Sequence, residues 1–301
     1  MTTPLEPAPA SLAQGRALWL KREDVHELGA FKWRAALPVV EHYRAEGADC
    51  VVTASTGNHG AATRWAAARA GMEAIVFAPE GASSSKLAHL ERLGADIRLG
   101  GADLDEAKAA GKEFARGRGL PFFEDGAEPL QYDAYGEIGD EIVEQLGTSP
   151  AAVLVPTGNG ALLGGIGLAL GRRSPGTLRV GVVAKDAPVM ALSWEARRPV
   201  ECDRSATIAD GMAVRVAIPY AVDVLNRAAD RMLLVSERAM ARGVAAFDAA
   251  GIRAEAAAGA ALAAVDQFAE ADGPIVLVLT GRNIDDDLLD RCRTDSDSFP
   301  D

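Results

Sequence analysis

Residues 151–170, AAVLVPTGNGALLGGIGLAL, run from an unbroken apolar segment through a turn of small residues into an apolar helix. A strand without polar alternation is one buried on both faces, as in a parallel sheet covered by helices. The same pattern recurs along the chain. Short apolar runs at 50–54 (CVVTA), 74–78 (AIVFA), 95–99 (ADIRL), 178–184 (LRVGVVA), 232–236 (MLLVS) and 275–280 (IVLVLT) alternate with Ala-rich stretches. The helical stretches before Gly71, Gly94 and Gly251 each stop where a helix end favours glycine. Repeated strand–helix–strand units predict an α/β fold of mostly parallel sheets with helices on both faces.

Composition narrows the function classes. The 301 residues carry 31 Lys+Arg against 43 Asp+Glu, a net charge of −12, which argues against nucleic acid or an anionic membrane as partner. No apolar run is long enough to span a bilayer. Residues 1–12, MTTPLEPAPASL, lack the basic start and apolar core of a signal peptide, so a cytoplasmic location is expected. Cys50, Cys202 and Cys292 are scattered thiols with no CxxC pair, which indicates neither a zinc site nor a disulfide framework. Residues 294–301, TDSDSFPD, read as a frayed acidic tail.

In open α/β sheets ligands bind where strands end and helices begin, so the junctions carry the functional reading. In 52-VTASTGNHGAATRW-65 a strand meets Ser55, Thr56, Gly57 and Asn58 before a helix starts. Hydroxyls and free amides at a helix N-terminus suit a carboxylate, although Ser, Thr and Asn are also the preferred caps. In 155-VPTGNGALLGGIGLAL-170 small residues let backbone amides close on a phosphate. No Lys-Ser/Thr follows, so this is not a Walker loop, and the glycine spacing misses the dinucleotide fingerprint by one. Glycines that merely permit tight helix–strand packing are the alternative. In 275-IVLVLTGRNIDDD-287 a third strand ends in a hydroxyl, with Asn283 as the expected cap of the following helix. Asp285, Asp286 and Asp287 suit that helix's N-terminus better than a metal. Lys32, between Phe31 and Trp33, is either an amine whose stem lies along apolar surface or a buried amine with a chemical task. An aldehyde-bearing, phosphorylated cofactor would use all four features.

With these residues in view, the chain resembles the serine/threonine dehydratase group of fold-type II pyridoxal-phosphate enzymes, a tryptophan synthase β-like fold. The likeness runs from Thr3 to about Asn283 with its motifs in order. LKREDVHELGAFKWRAA (20–36) resembles the cofactor-lysine segment, which implies Lys32 as Schiff-base residue and catalytic base at Cα, with Phe31 packed beside it. STGNHG (55–60) resembles the substrate-carboxylate loop, implicating Ser55, Thr56, Gly57, Asn58 and His59, with Asn58 also on the cofactor's ring hydroxyl. His59 reads equally as a further acid or as a packed first-turn histidine. GNGALLGG (158–165) resembles the phosphate loop, implicating the amides of Gly158, Asn159, Gly160, Ala161 and Leu162. LTGRN (279–283) implies Thr280 at the pyridine nitrogen, and AEAAAGAALAA (254–264) implies Glu255 near the cofactor. TIADGMAVR (207–215) matches a further family segment.

The resemblance implies two domains: residues 1–39 with 145–301 as the large, cofactor-binding one, and 40–144 as the small one carrying the substrate loop. It further implies pyridoxal 5′-phosphate as cofactor, a small amino-acid substrate, no bound metal and a homodimer. The reaction expected is β-elimination from a hydroxy amino acid such as threonine or serine, giving a 2-keto acid and ammonia. Cysteine synthase-like β-replacement, a dehydratase for hydroxyaspartate, an aryl-serine or a diamino acid, and a non-catalytic binding protein are the alternatives. This sequence departs from the family at five places. Ala30 stands where Ser or Thr is usual, Asn159 replaces a loop glycine, and Thr56 stands where racemases carry serine. GVVAKDAP (181–188) lacks the Glu of metal-dependent members, and 122-FFEDGAEPLQYDAYGEIGDEI-142 replaces the commoner dehydratase pattern.

Overall fold

A computed structural model describes residues 1–268 and 272–301. Its strands are β1 (Leu5–Pro7), β2 (Leu18–Arg22), β3 (Cys50–Ala54), β4 (Glu73–Ala78), β5 (Asp96–Leu99), β6 (Ala152–Pro156), β7 (Leu178–Ala184), β8 (Arg231–Val235) and β9 (Ile275–Leu279). The helices are α1 (Ala10–Ala13), α2 (Trp33–Ala45), α3 (Asn58–Arg69), α4 (Ser84–Arg92), α5 (Leu104–Arg118), α6 (Pro129–Leu146), α7 (Ala161–Arg173), α8 (Val189–Ala196), α9 (Pro219–Ala228), α10 (Glu237–Ala249), α11 (Ala256–Ala263) and α12 (Asp286–Asp295).

The chain divides into two compact units, Met1–Phe31 with Tyr135–Asp301, and Lys32–Ala134. The divisions fall at 31/32 and 134/135, where the sequence reading placed them at 39/40 and 144/145. The first unit holds a six-stranded sheet in the order β1-β2-β9-β6-β7-β8. All its pairings are parallel except that of β1 with β2. β6 and β9 are buried at every position, which is why AVLVP and IVLVL lack polar alternation. Val153, Leu154, Val155 and Val276 have no exposed surface, and each such side chain contributes roughly 1.5–3 kcal/mol on burial.

β2 carries charge into this core. Lys21 is fully buried, donating to the Thr3 carbonyl at 2.7 Å and to Glu141 Oε2 at 2.5 Å. The buried Glu23 carboxylate accepts the Thr3 hydroxyl at 2.6 Å. These partners satisfy the charges that burial would otherwise penalise.

The end of the chain corrects the expectation of a frayed tail. α12 continues through Asp295 and Phe299 is buried. Arg291 lies 4.1 Å over the Phe299 ring, and Arg238 donates from its amide to the Pro300 carbonyl at 2.8 Å. One aromatic buried in the core outweighs the solubility of six acidic or hydroxyl neighbours.

The second unit holds the three-stranded parallel sheet β3-β4-β5. Residues 121–123 lie along the free edge of β3: Val52 N–H donates to the Pro121 carbonyl at 3.0 Å and Phe123 N–H to the Val52 carbonyl at 2.8 Å. Gly71, Gly94 and Gly251 take left-handed φ of 66°, 80° and 76° just beyond α3, α4 and α10, as helix-stop glycines do.

Candidate active site

In the second unit α2 begins immediately after Lys32, whose own backbone is helical (φ −59°, ψ −23°). The Lys32 side chain is 13% exposed, and its Nζ donates to Asp125 Oδ2 at 2.5 Å. Asp125 is fixed from several sides. Gln131, fully buried, donates Nε2 to Asp125 Oδ1 at 2.9 Å and accepts the Gly126 amide at 2.7 Å. Tyr132 donates its hydroxyl to the Gly126 carbonyl at 2.7 Å. Upstream, the Phe123 carbonyl accepts the Thr53 hydroxyl at 2.8 Å. Burial alone would push the Asp125 carboxyl up. The Lys32 charge and the hydrogen bonds from Lys32 and Gln131 outweigh it and hold the group well below the usual carboxylate range.

His59 is buried in the first turn of α3, with its ring edge-on to Phe123 at 4.5 Å. Its Nε2 lies 3.3 Å from the Phe123 carbonyl, an acceptor, so a neutral ring carries its proton there. Nδ1 is 4.0 Å from Asp125 Oδ1. Burial pushes the imidazole below its ordinary value against the pull of Asp125. The packed first-turn histidine is what the structure shows.

The loop after β3 is not spent on capping. α3 starts at Asn58 with Gly57 before it and no side-chain cap. Ser55, buried, accepts the Gly57 amide on its hydroxyl at 3.1 Å and is anchored by its own N–H to the Phe77 carbonyl at 3.0 Å. Thr56 and Asn58 are half-buried and Gly57 is exposed. A polar loop at the carboxyl end of a parallel strand can receive an anionic group. An open groove lined by Asp49, Arg64, Glu73 and Asp96 lies at the opposite, amino ends of β3–β5 and contains none of the candidate residues.

In the first unit the turn from β6 into α7 is built from close backbone approaches. A Cβ on Gly158 would stand 2.2 Å from the Gly211 carbonyl oxygen, and Gly160 takes φ 91° with Leu225 beside it. So part of what the glycines do is packing, as the alternative reading held. Asn159 Oδ1 accepts the Ala161 amide at 3.0 Å. Thr157 turns its hydroxyl back to the Val155 carbonyl at 2.9 Å. The first-turn amides of a thirteen-residue apolar helix therefore end in a turn of small residues, with no acidic side chain from 157 to 163. This donor set fits a phosphate.

Thr280 and Glu255 come together at the end of β9. The Thr280 hydroxyl donates to Glu255 Oε1 at 2.7 Å and both residues are buried. The Glu255 carboxylate sits so close to Gly281 that a Cβ there would be 2.7 Å from Oε2. With its proton given to Glu255, the threonine oxygen is left as an acceptor. Segment 29–31 runs beside this strand end: Phe31 N–H donates to the Thr280 carbonyl at 3.0 Å and Arg282 N–H to the Gly29 carbonyl at 2.8 Å. Phe31 packs on Tyr135 with ring centroids 5.2 Å apart. Asn283 does not cap α12. Its Nδ2 donates to the Leu28 carbonyl at 2.8 Å, and Asp285 precedes the helix instead. A half-buried phosphate-type turn and a buried hydroxyl–carboxylate pair suit the two polar ends of a phosphorylated pyridine.

The residue that the sequence reading missed is Asp125. It lies in FFEDGAEP, where an Asp-Gly pair reads as a turn, and its partner is 93 positions away.

Residues 1–281 match the family described as pyridoxal-phosphate dependent enzyme. The chain is 31% identical over 280 residues to the L-threonine ammonia-lyase of Thermotoga maritima, covering 92% of this chain and 70% of that one. With the L-threonine ammonia-lyase of Geobacter sulfurreducens the identity is 32% over 275 residues, 90% of this chain and 68% of that one. The processed form of threonine deaminase isoform 2 from Solanum lycopersicum has the same fold, with a TM-score of 0.92 at 28% identity over 99% of this chain and 89% of that chain. By its sequence, its parallel sheets and the polar ends of its strands, this chain belongs to the pyridoxal-phosphate-dependent enzyme family.

Proposed function

We propose that the chain is an ammonia-lyase that removes water and then ammonia from a β-hydroxy amino acid, threonine or serine, to leave a 2-keto acid. The observation that carries this reading is the likeness, over nine tenths of the chain, to two L-threonine ammonia-lyases. When bound, pyridoxal phosphate supplies the electron sink that lets the Cα–H bond and then the β-substituent bond break. Lys32 would hold the cofactor through Nζ and, when freed as a neutral amine, would accept the proton from Cα. The Ser55–His59 loop binds the substrate carboxylate, and Asn58 bonds the ring hydroxyl. The amides of Gly158, Asn159, Gly160 and Leu162, and that of Ala161 on exchanging its bond to Asn159 Oδ1, would take the phosphate at the positive end of α7. Thr280, tied to Glu255, meets the ring nitrogen, and Phe31 packs beside the lysine.

In this reading residues 1–39 with 145–301 bind the cofactor and 40–144 carry the substrate loop. The enzyme works as a cytoplasmic homodimer. The cytoplasmic part draws support from three cysteines that are all free thiols. The dimer rests on the resemblance alone. Among the described residues no helix is long and apolar enough to cross a membrane.

The test is to incubate purified protein and cofactor with serine or threonine, with and without sulfide, and to assay keto acid and ammonia. Equimolar keto acid and ammonia without sulfide supports the reading. A thiol or thioether product that forms only with sulfide replaces it by β-replacement.

A further inference from the structure

Asp125 has no part in the chemistry assigned above, yet the chain spends many contacts on holding it. Its neighbours on both sides are pinned, Phe123 to β3 and Gly126 to Gln131 and Tyr132. Its own Oδ1 is bonded by a buried glutamine and its Oδ2 by the Lys32 ammonium. A turn that needed only to reverse the chain would not require a carboxylate there. The proposal rests on Lys32 being the cofactor's attachment point.

We propose that Asp125 is a positioning residue for Lys32: a preorganised carboxylate that receives the ammonium formed when Nζ, released from the cofactor, takes up a proton. The exchange balances in protons and charge. The substrate nitrogen, having given its extra proton to solvent, bonds as a neutral amine to the aldehyde carbon. The bond from that carbon to Nζ breaks, and Lys32 departs as a neutral amine that becomes an ammonium on taking a proton from Cα or from solvent. In a half-buried setting a cation formed without a partner is penalised. Asp125, already ionised and already in place, removes most of that penalty. It also keeps the idle amine out of side reactions with other electrophiles.

The first measurement uses full-length chain freed of cofactor. Competitive acylation by a trace amine-directed reagent at pH 8, followed by peptide mapping, gives the labelling rate of Lys32 relative to the exposed Lys185. Asp125→Asn keeps the shape and the Gln131 contact but removes the charge, and is expected to speed Lys32 labelling about tenfold. Asp125→Glu is expected to restore a rate close to wild type. Should the amide variant not fold, Asp125→Ser reads the same outcome. The second measurement follows by absorbance the displacement of Lys32 from the loaded enzyme by an amino acid. Asp125→Asn is expected to raise the half-saturating concentration of that spectral change about tenfold, and Asp125→Glu to return it. Unchanged labelling in Asp125→Asn, or a rise in Asp125→Glu as large as in Asp125→Asn, overturns the proposal. Borohydride reduction of the loaded wild type keeps the two failures apart. If the cofactor is trapped elsewhere than Lys32, the reading beneath falls; if it is trapped at Lys32 and labelling does not respond, only the role of Asp125 falls.

Discussion

At the residue scale the account turns on which polar groups are held by which partners. The Thr280 hydroxyl donates to Glu255, which leaves the threonine oxygen as an acceptor. Glu255→Gln removes the acceptor charge behind that hydroxyl. The expected result is a shift in the absorbance of bound cofactor and a two- to tenfold loss of turnover with little change in cofactor affinity. A spectrum and turnover equal to wild type would separate Glu255 from the cofactor. His59 gives a second residue-scale test. Burial sets its imidazole below the ordinary value, so the folded state favours the neutral ring. Its contribution to stability is full above the unfolded value of about 6.5 and is lost as pH falls toward the folded one, at most about 1.4 kcal/mol per pH unit. His59→Gln cannot titrate. Thermal melts from pH 7.5 to 5.0 should therefore show wild type losing its advantage over the variant as pH drops, and a constant gap would contradict this.

At the scale of elements, the turn from β6 to α7 combines close packing with the proposed phosphate site. Gly158→Ala places a Cβ against the Gly211 backbone, which can move only with its whole segment. The expected cost is about 1–3 kcal/mol in denaturant melts of cofactor-free protein, with weaker cofactor binding besides. Asn159→Ala removes the acceptor of the Ala161 amide and is expected to cost about 1 kcal/mol, the scale of one lost hydrogen bond. These elements were legible because unbroken apolar strands and stop glycines are local signals. β6, β7 and β9 lie where the sequence puts them within a residue or two. β2 was not legible as a strand, because Lys21 and Arg22 look like surface until Thr3 and Glu141 are seen to take the Lys21 ammonium. The cap role expected of Asn283 failed for the same reason: its amide answers a carbonyl 255 positions away. Asp125 was hidden likewise, since a charge pair across 93 positions leaves no periodic trace.

At the scale of the whole molecule, the terminal segment belongs to the fold. Phe299 fills a pocket in the first unit's core and is stacked by Arg291. Phe299→Ala is expected to cost roughly 3 kcal/mol, within the range for large core truncations, and to lower the melting temperature by several degrees. A variant as stable as wild type would return residues 296–301 to a mere tail. The broader claim, that this α/β chain serves a carbonyl cofactor, depends on one covalent link and can be tested there. Protein loaded with pyridoxal phosphate is reduced with borohydride, digested, and mapped for the phosphopyridoxyl mass. The account predicts a single modified peptide with the adduct on Lys32, and none in Lys32→Ala. An adduct on another lysine, or a Lys32→Ala protein that still traps the cofactor, would contradict it.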